Sequence, residues 1–336
     1  MDLSGPPLIR SVRFRQEREA DWKRLDELVT KTERTGVHSL SWAEAQSLAQ
    51  LYQKASNSLS VAREISLDRG LLTYLEALVA RAYLAVYAPQ ETLGGLFARF
   101  FTQGAPRAMR ACWPHIQLGI LCMFLGAALG YGLYFQDTAW YNTFMPPRLA
   151  GGRGPGASTE YLRNVIYDEH GWEGLGSFAS FLFSHNTRIA IFVFGLGAFA
   201  ALPAILLTAY NGTILGAFLA LHVDRGLGWD VGGWLSIHGV TEISAICIAA
   251  GGGIRLGQAV LFPGQYTRRD ALWIAGRDAV KLAIVAAIML VAAAILEGFG
   301  RQLIQDMTAR YVVGWGMGLL WLAWFVLGGR QRHTRL

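Results

Sequence analysis

Between Ile189 and Val223 the chain is apolar for 35 residues, with only scattered polar breaks. A bilayer crossing needs about 20 apolar residues in helical form. The run is therefore too long for one crossing and short for two. Pro203 and the turn signal Tyr210-Asn211-Gly212 interrupt it. That predicts two crossings joined by a tight turn at Asn211. Further apolar segments lie at 113–135 before this run and at 231–252, 279–299 and 311–327 after it. Inside hydrocarbon each segment must satisfy its own backbone hydrogen bonds, so the spans are helices. The fold class is all-α: a polytopic helical membrane protein of six spans with an amino-terminal cytoplasmic helical bundle.

Apolar residues make up 53% of the 336, and they crowd into the last two thirds. The charged first hundred residues carry no secretory signal pattern. Arginine placement orients the spans. The amino-terminal part, the loop with Arg255, Arg268, Arg269, Arg277 and Lys281, and the tail with Arg330, Arg332 and Arg335 all belong in the cytoplasm. Six crossings satisfy all three. A re-entrant Gly212–Val223 segment would put the loop and the tail on the far side. The expected location is thus the bacterial inner membrane, multi-pass, with both termini cytoplasmic. The expected domains are a cytoplasmic helical domain over 1–110, a transmembrane domain over 111–330 with an extracytoplasmic segment at 136–188, and a basic tail at 331–336. The net charge of +6 suits cytoplasmic loops beside anionic membrane lipids. No pattern for nucleic-acid binding is present.

Residues 10–90 read as soluble helices. Phe14, Trp22, Leu25 and Leu28 form one stripe. Ser41-Trp42-Ala43-Glu44 is a capping box opening a second helix with Leu48, Leu51 and Tyr52 on one side. A third helix carries Leu71, Leu75, Leu78, Val79 and Tyr83. Over 93–110, Leu93, Leu96, Phe97, Phe100 and Phe101 interleave with Arg99, Arg107 and Arg110. Two readings stand there: a helix lying in the membrane interface, or the last core helix of the soluble part.

His238-Gly239-Val240-Thr241-Glu242 lies near the middle of an apolar span. An ionisable group at that depth costs roughly 2.5–3.5 kcal/mol on insertion scales unless it is paired or faces a polar cavity. Spacing of four puts both side chains on one helix face. They either fasten helices or serve a pathway for protons or solutes. A metalloenzyme reading lacks a third ligand and the HExxH pattern. No metal or other cofactor is expected, and no catalytic residue is assigned. Asn211 and Asn186 are the natural partners for the pair. Glu297 closes the fifth span, facing Arg301 one turn on as an interfacial ion pair or a proton gateway. Cys112, Cys122 and Cys247 read as packing residues.

Glycines recur at helix-packing spacing: Gly126 and Gly130, Gly212 and Gly216, Gly253 and Gly257, Gly314 and Gly318. The pair at 314 and 318 has no internal demand in the sequence. A two-fold dimer through the last span is therefore expected, possibly with the first span and its Gly126 and Gly130.

Taken together these positions resemble the stage II sporulation protein M family. The carrying residues are His185-Asn186-Thr187-Arg188, Asn211-Gly212-Thr213-Ile214-Leu215-Gly216, His238 to Glu242, Gly251 to Gly257, and Glu297. His185 stands where the family usually has a second Asn. The resemblance implies a non-enzymatic membrane scaffold that organises other envelope proteins in envelope or peptidoglycan remodelling. A transporter or channel using His238 and Glu242, and an intramembrane enzyme, are the alternatives.

Overall fold

The computed structural model describes residues 10–64, 69–87, 93–167, 172–300 and 303–329. Helix is the regular structure throughout them. The chain divides into two compact units, Met1–Leu96 and Phe97–Leu336.

The first unit contains α1 (Arg10–Thr35), α2 (Trp42–Glu64) and α3 (Arg69–Tyr87). Gly36, at φ 81°, reverses the chain after α1, a conformation glycine adopts without penalty. The capping box is present. The Ser41 N–H donates to Glu44 Oε2 at 2.8 Å, and the Glu44 N–H donates to Ser41 Oγ at 3.3 Å. Trp22, Leu25, Leu28, Leu48, Leu75 and Leu78 form the core where the three apolar stripes meet. Tyr83 lies off that stripe, 52% exposed. Arg81 ties α3 to α1 through Asp26 at 2.7 Å and Glu33 at 2.8 Å.

The second unit begins within α4 (Leu93–Arg99) and goes on through a π-helical turn at Phe100–Gly104 and α5 (Ala105–Ala111). Ala105, Ala108 and Met109 are buried in one core with Ile116, Leu282 and Met289. The Trp324 indole N–H donates to the Phe101 carbonyl at 2.9 Å, and Arg110 reaches the Phe325 and Gly328 carbonyls. This amphipathic stretch therefore packs on the transmembrane helices rather than closing a soluble core. α6 (Trp113–Gln136) follows, then three short helices, α7 (Trp140–Phe144), α8 (Pro147–Ala150) and α9 (Thr159–Tyr167). The remaining helices are α10 (Trp172–Gly197), α11 (Leu202–Asp224), α12 (Gly228–Leu261), α13 (Arg268–Ile295) with a π-helical turn at Leu296–Gly300, and α14 (Met307–Leu327).

Six helices of the described residues are long and apolar enough to cross a membrane: α3, α6, α11, α12, α13 with its π turn, and α14. They are not the six expected from sequence. α3 buries its apolar stripe against α1 and α2 instead. α10 has 26 residues but carries His185, Asn186 and Arg188 near its middle.

The long apolar run breaks in a different place from the one expected. Asn211 lies inside α11, and the chain reverses between Gly197 and Leu202. Ala200 and Ala201 there hold φ 60° and 63°, a left-handed conformation that costs a non-glycine residue roughly 1–2 kcal/mol. Pro203 sits in the first turn of α11, where its missing N–H would be unpaired anyway. Gly212 serves close approach rather than a turn. A Cβ on it would collide with the Met123 carbonyl oxygen of α6. Residues 174–183, which the sequence reading places in the extracytoplasmic segment, are the start of α10.

The expectation for the last span also changes. A Cβ on Gly314 would strike the Ser236 carbonyl oxygen, and one on Gly318 would lie 2.7 Å from Val240 Cγ1. Both glycines already face α12 of the same chain, so they are not free to face a second copy. Gly126 and Gly130 are likewise taken, by Ala209 and Thr213 of α11.

Candidate intramembrane polar site

Glu242, His238, Asn186 and Asn211 converge on one cavity of about 120 Å³. Three helices supply them: α12 places His238 and Glu242 one turn apart, α10 contributes Asn186 and α11 contributes Asn211. The Asn186 Nδ2 donates to Glu242 Oε1 at 2.5 Å. That bond ties α10 to α12 at a depth where an unpaired carboxylate would be costly. His238 is buried, with its ring edge-on to Trp234 at 5.6 Å. Asn211 lines the cavity and makes no side-chain hydrogen bond among the described residues.

Two further polar residues line the same cavity. His185 precedes Asn186 on α10. Arg153 comes from the segment between α6 and α10, is 5% exposed, and also lines it. Its Nε donates to the Ala150 carbonyl at 2.9 Å and its Nη2 to the Leu149 carbonyl at 2.8 Å. The guanidinium lies 5.3 Å from the Phe218 ring centroid. Burial pushes Arg153 below its ordinary value. Tyr141, buried beside it in α7, is pushed up to about 12 by burial. The segment is pinned to the helices below: Arg225 donates to the Ala157 and Pro155 carbonyls, and the Tyr167 hydroxyl donates to Asp230.

Sequence reasoning missed Arg153, because it sits in a Gly/Pro-rich stretch with no periodicity. An arginine isolated among Gly151, Gly152, Gly154 and Gly156 was the available signal. His222 was missed as well. It is fully buried near the end of α11, with Nδ1 at 2.8 Å from the Phe218 carbonyl oxygen.

Glu297 does not join the cavity. It is buried in the π turn after α13, and Arg301, its expected partner, lies outside the described residues. No group of three His, Cys, Asp or Glu residues is placed to hold a metal ion among the described residues.

Residues 157–300 match the family model described as Stage II sporulation protein M. That segment belongs to the stage II sporulation protein M family. The match spans α9 to the π turn, and so includes Asn186, Asn211, His238, Glu242 and Glu297. Arg153, α6 and α14 lie outside it. Residues 12–88, the three-helix unit, match a second model, described as Domain of unknown function (DUF8413). No curated protein and no solved structure matches the chain.

Proposed function

We propose that this multi-pass membrane protein is a scaffold that gathers partner proteins for envelope or peptidoglycan remodelling. The observation that carries the reading is an exposed aromatic face on the first unit. Tyr83 packs against Tyr52 and Tyr87 with ring centroids 6.4 Å and 5.1 Å away. Tyr83, Leu84 and Tyr87 are all more than half exposed. Tyrosines clustered on an otherwise charged surface are typical of protein contact sites. In the proposed topology both termini lie in the cytoplasm of a bacterial inner membrane, and residues 137–171 lie outside.

The test uses the full chain in native membranes. Tyr83→Glu and Leu84→Glu together should remove specific co-purifying envelope proteins while the amount of chain in the membrane stays unchanged. An identical set of partners with the double variant rejects the reading. Topology is tested by single-cysteine labelling in intact cells. Cysteine at position 155 should react and cysteine at 266 should not; labelling at 266 from outside rejects the proposed sidedness.

One observation favours the transport reading: a polar cavity reaches Glu242. Its polar lining, however, gives way to Met123, Leu215 and Ile243, an apolar layer that opposes passage of a charged solute. Uptake of a solute into vesicles that is lost with Glu242→Gln would favour transport over scaffolding.

A further inference from the structure

A second cavity, of about 500 Å³, lies between α6 and α14 and is floored by α12. Its lining is apolar, with Ile120, Phe124, Trp315, Trp321 and Phe325 prominent. Met123, Leu215 and Ile243 line both this groove and the polar cavity. The two cavities therefore lie side by side, with these three residues on their common boundary. Phe124 and Trp315, on the two sides of the groove, are 68% and 59% exposed. In a membrane-spanning unit such rims meet acyl chains, so the groove opens towards lipid.

The polar groups are ordered across the two cavities. Arg153 stacks on Phe218, and Asn211 lies seven residues before Phe218 on α11, about 10 Å away along the helix axis. The Arg153 guanidinium is held in place by two carbonyls of its own segment, and a fixed guanidinium suits a phosphate. Asn211 lines the polar cavity, and its amide can both donate and accept. Glu242, at the deep end, already accepts from Asn186. The order is cation, then amide, then a carboxylate already bonded to Asn186, then hydrocarbon.

We infer that the two cavities together bind one phospholipid, with its phosphate at Arg153, its ester oxygens beside Asn211, and one acyl chain in the groove between α6 and α14. A glycerolipid presents phosphate, ester and chain in that same order. The inference does not depend on the scaffold reading.

The test uses the purified full chain in detergent, with dioleoyl phosphatidic acid and inorganic phosphate as separate probes. Native mass spectrometry should show one phosphatidic acid retained per chain, and the lipid should raise the melting temperature. Arg153→Gln removes the phosphate contact. Ser244→Phe fills the groove, which Ser244 lines, and leaves the polar groups untouched. Each variant should weaken lipid binding at least tenfold while keeping the lipid-free helical content. If one variant fails to fold, the other decides. Unchanged lipid retention in the folded variants overturns the inference. So does an equal rise in melting temperature with inorganic phosphate alone, which would leave an anion site without a lipid.

Discussion

Asn186 and Glu242 show how a costly residue becomes a fastener. The carboxylate accepts from an amide on a neighbouring helix, and such interhelical bonds are worth about 0.6 kcal/mol on average and up to about 1.7. Glu242→Gln keeps an acceptor oxygen for Asn186 and should change stability in detergent by less than about 0.5 kcal/mol. Glu242→Leu leaves the amide without an acceptor and should cost about 1–2 kcal/mol, read as a lower melting temperature. Equal melting temperatures for the two variants would remove the bond from the stability argument. In the first unit, Glu44 is lowered to about 2, chiefly by the Lys31 ammonium and then by the Ser41 N–H. Its folded value lies below its unfolded one. The contribution is therefore complete above the ordinary carboxylate value of 4.5 and is lost as pH falls through about 2. The melting-temperature difference between wild type and Glu44→Gln should shrink across that window; a constant difference would contradict the linkage.

The elements of the second unit are set by where backbones must approach. α6 and α11 pack along Gly126, Gly130, Gly212 and Gly216, and a Cβ on Gly216 would collide with the Ala127 carbonyl oxygen. Small residues permit this in a membrane, where dispersion and close packing replace the hydrophobic effect between helices. Gly216→Val should cost at least about 2 kcal/mol, because overpacking forces backbone shifts. Gly132→Val is the control on α6, since nothing lies within 4 Å of a Cβ there. Matching thermal stabilities for the two valine variants would show that the α6–α11 seam yields easily. The same seam explains why α11 runs unbroken through Asn211-Gly212.

On the scale of the whole molecule, the two units have separate cores. The first buries Trp22, Leu25, Leu28, Leu75 and Leu78 among its own three helices. Residues 10–87 expressed alone should be soluble, helical by circular dichroism, and should unfold in one cooperative transition. A non-cooperative melt, or insolubility without detergent, would show that α3 needs a membrane, as its apolar composition allows.

The helical class, the crossings other than the α10–α11 pair, the capping box and the identity of the polar residues were legible in the sequence. Each follows from local rules: apolar run length, hydrogen-bond economy in hydrocarbon, and the cost of a buried charge. Asn186, Asn211, His238 and Glu242 stood out because hydrocarbon makes each of them expensive. The tertiary structure decided the rest. Gly212 reads as a turn residue until α6 is seen lying against it, and Gly314 reads as free until Ser236 occupies its face. α3 is apolar enough to span, yet its stripe is buried by two polar partners. Arg153 gains its place only when the segment between α6 and α10 folds over Phe218. In each case the deciding contact joins residues far apart in the chain, and periodicity within one helix carries no record of what lies across from it.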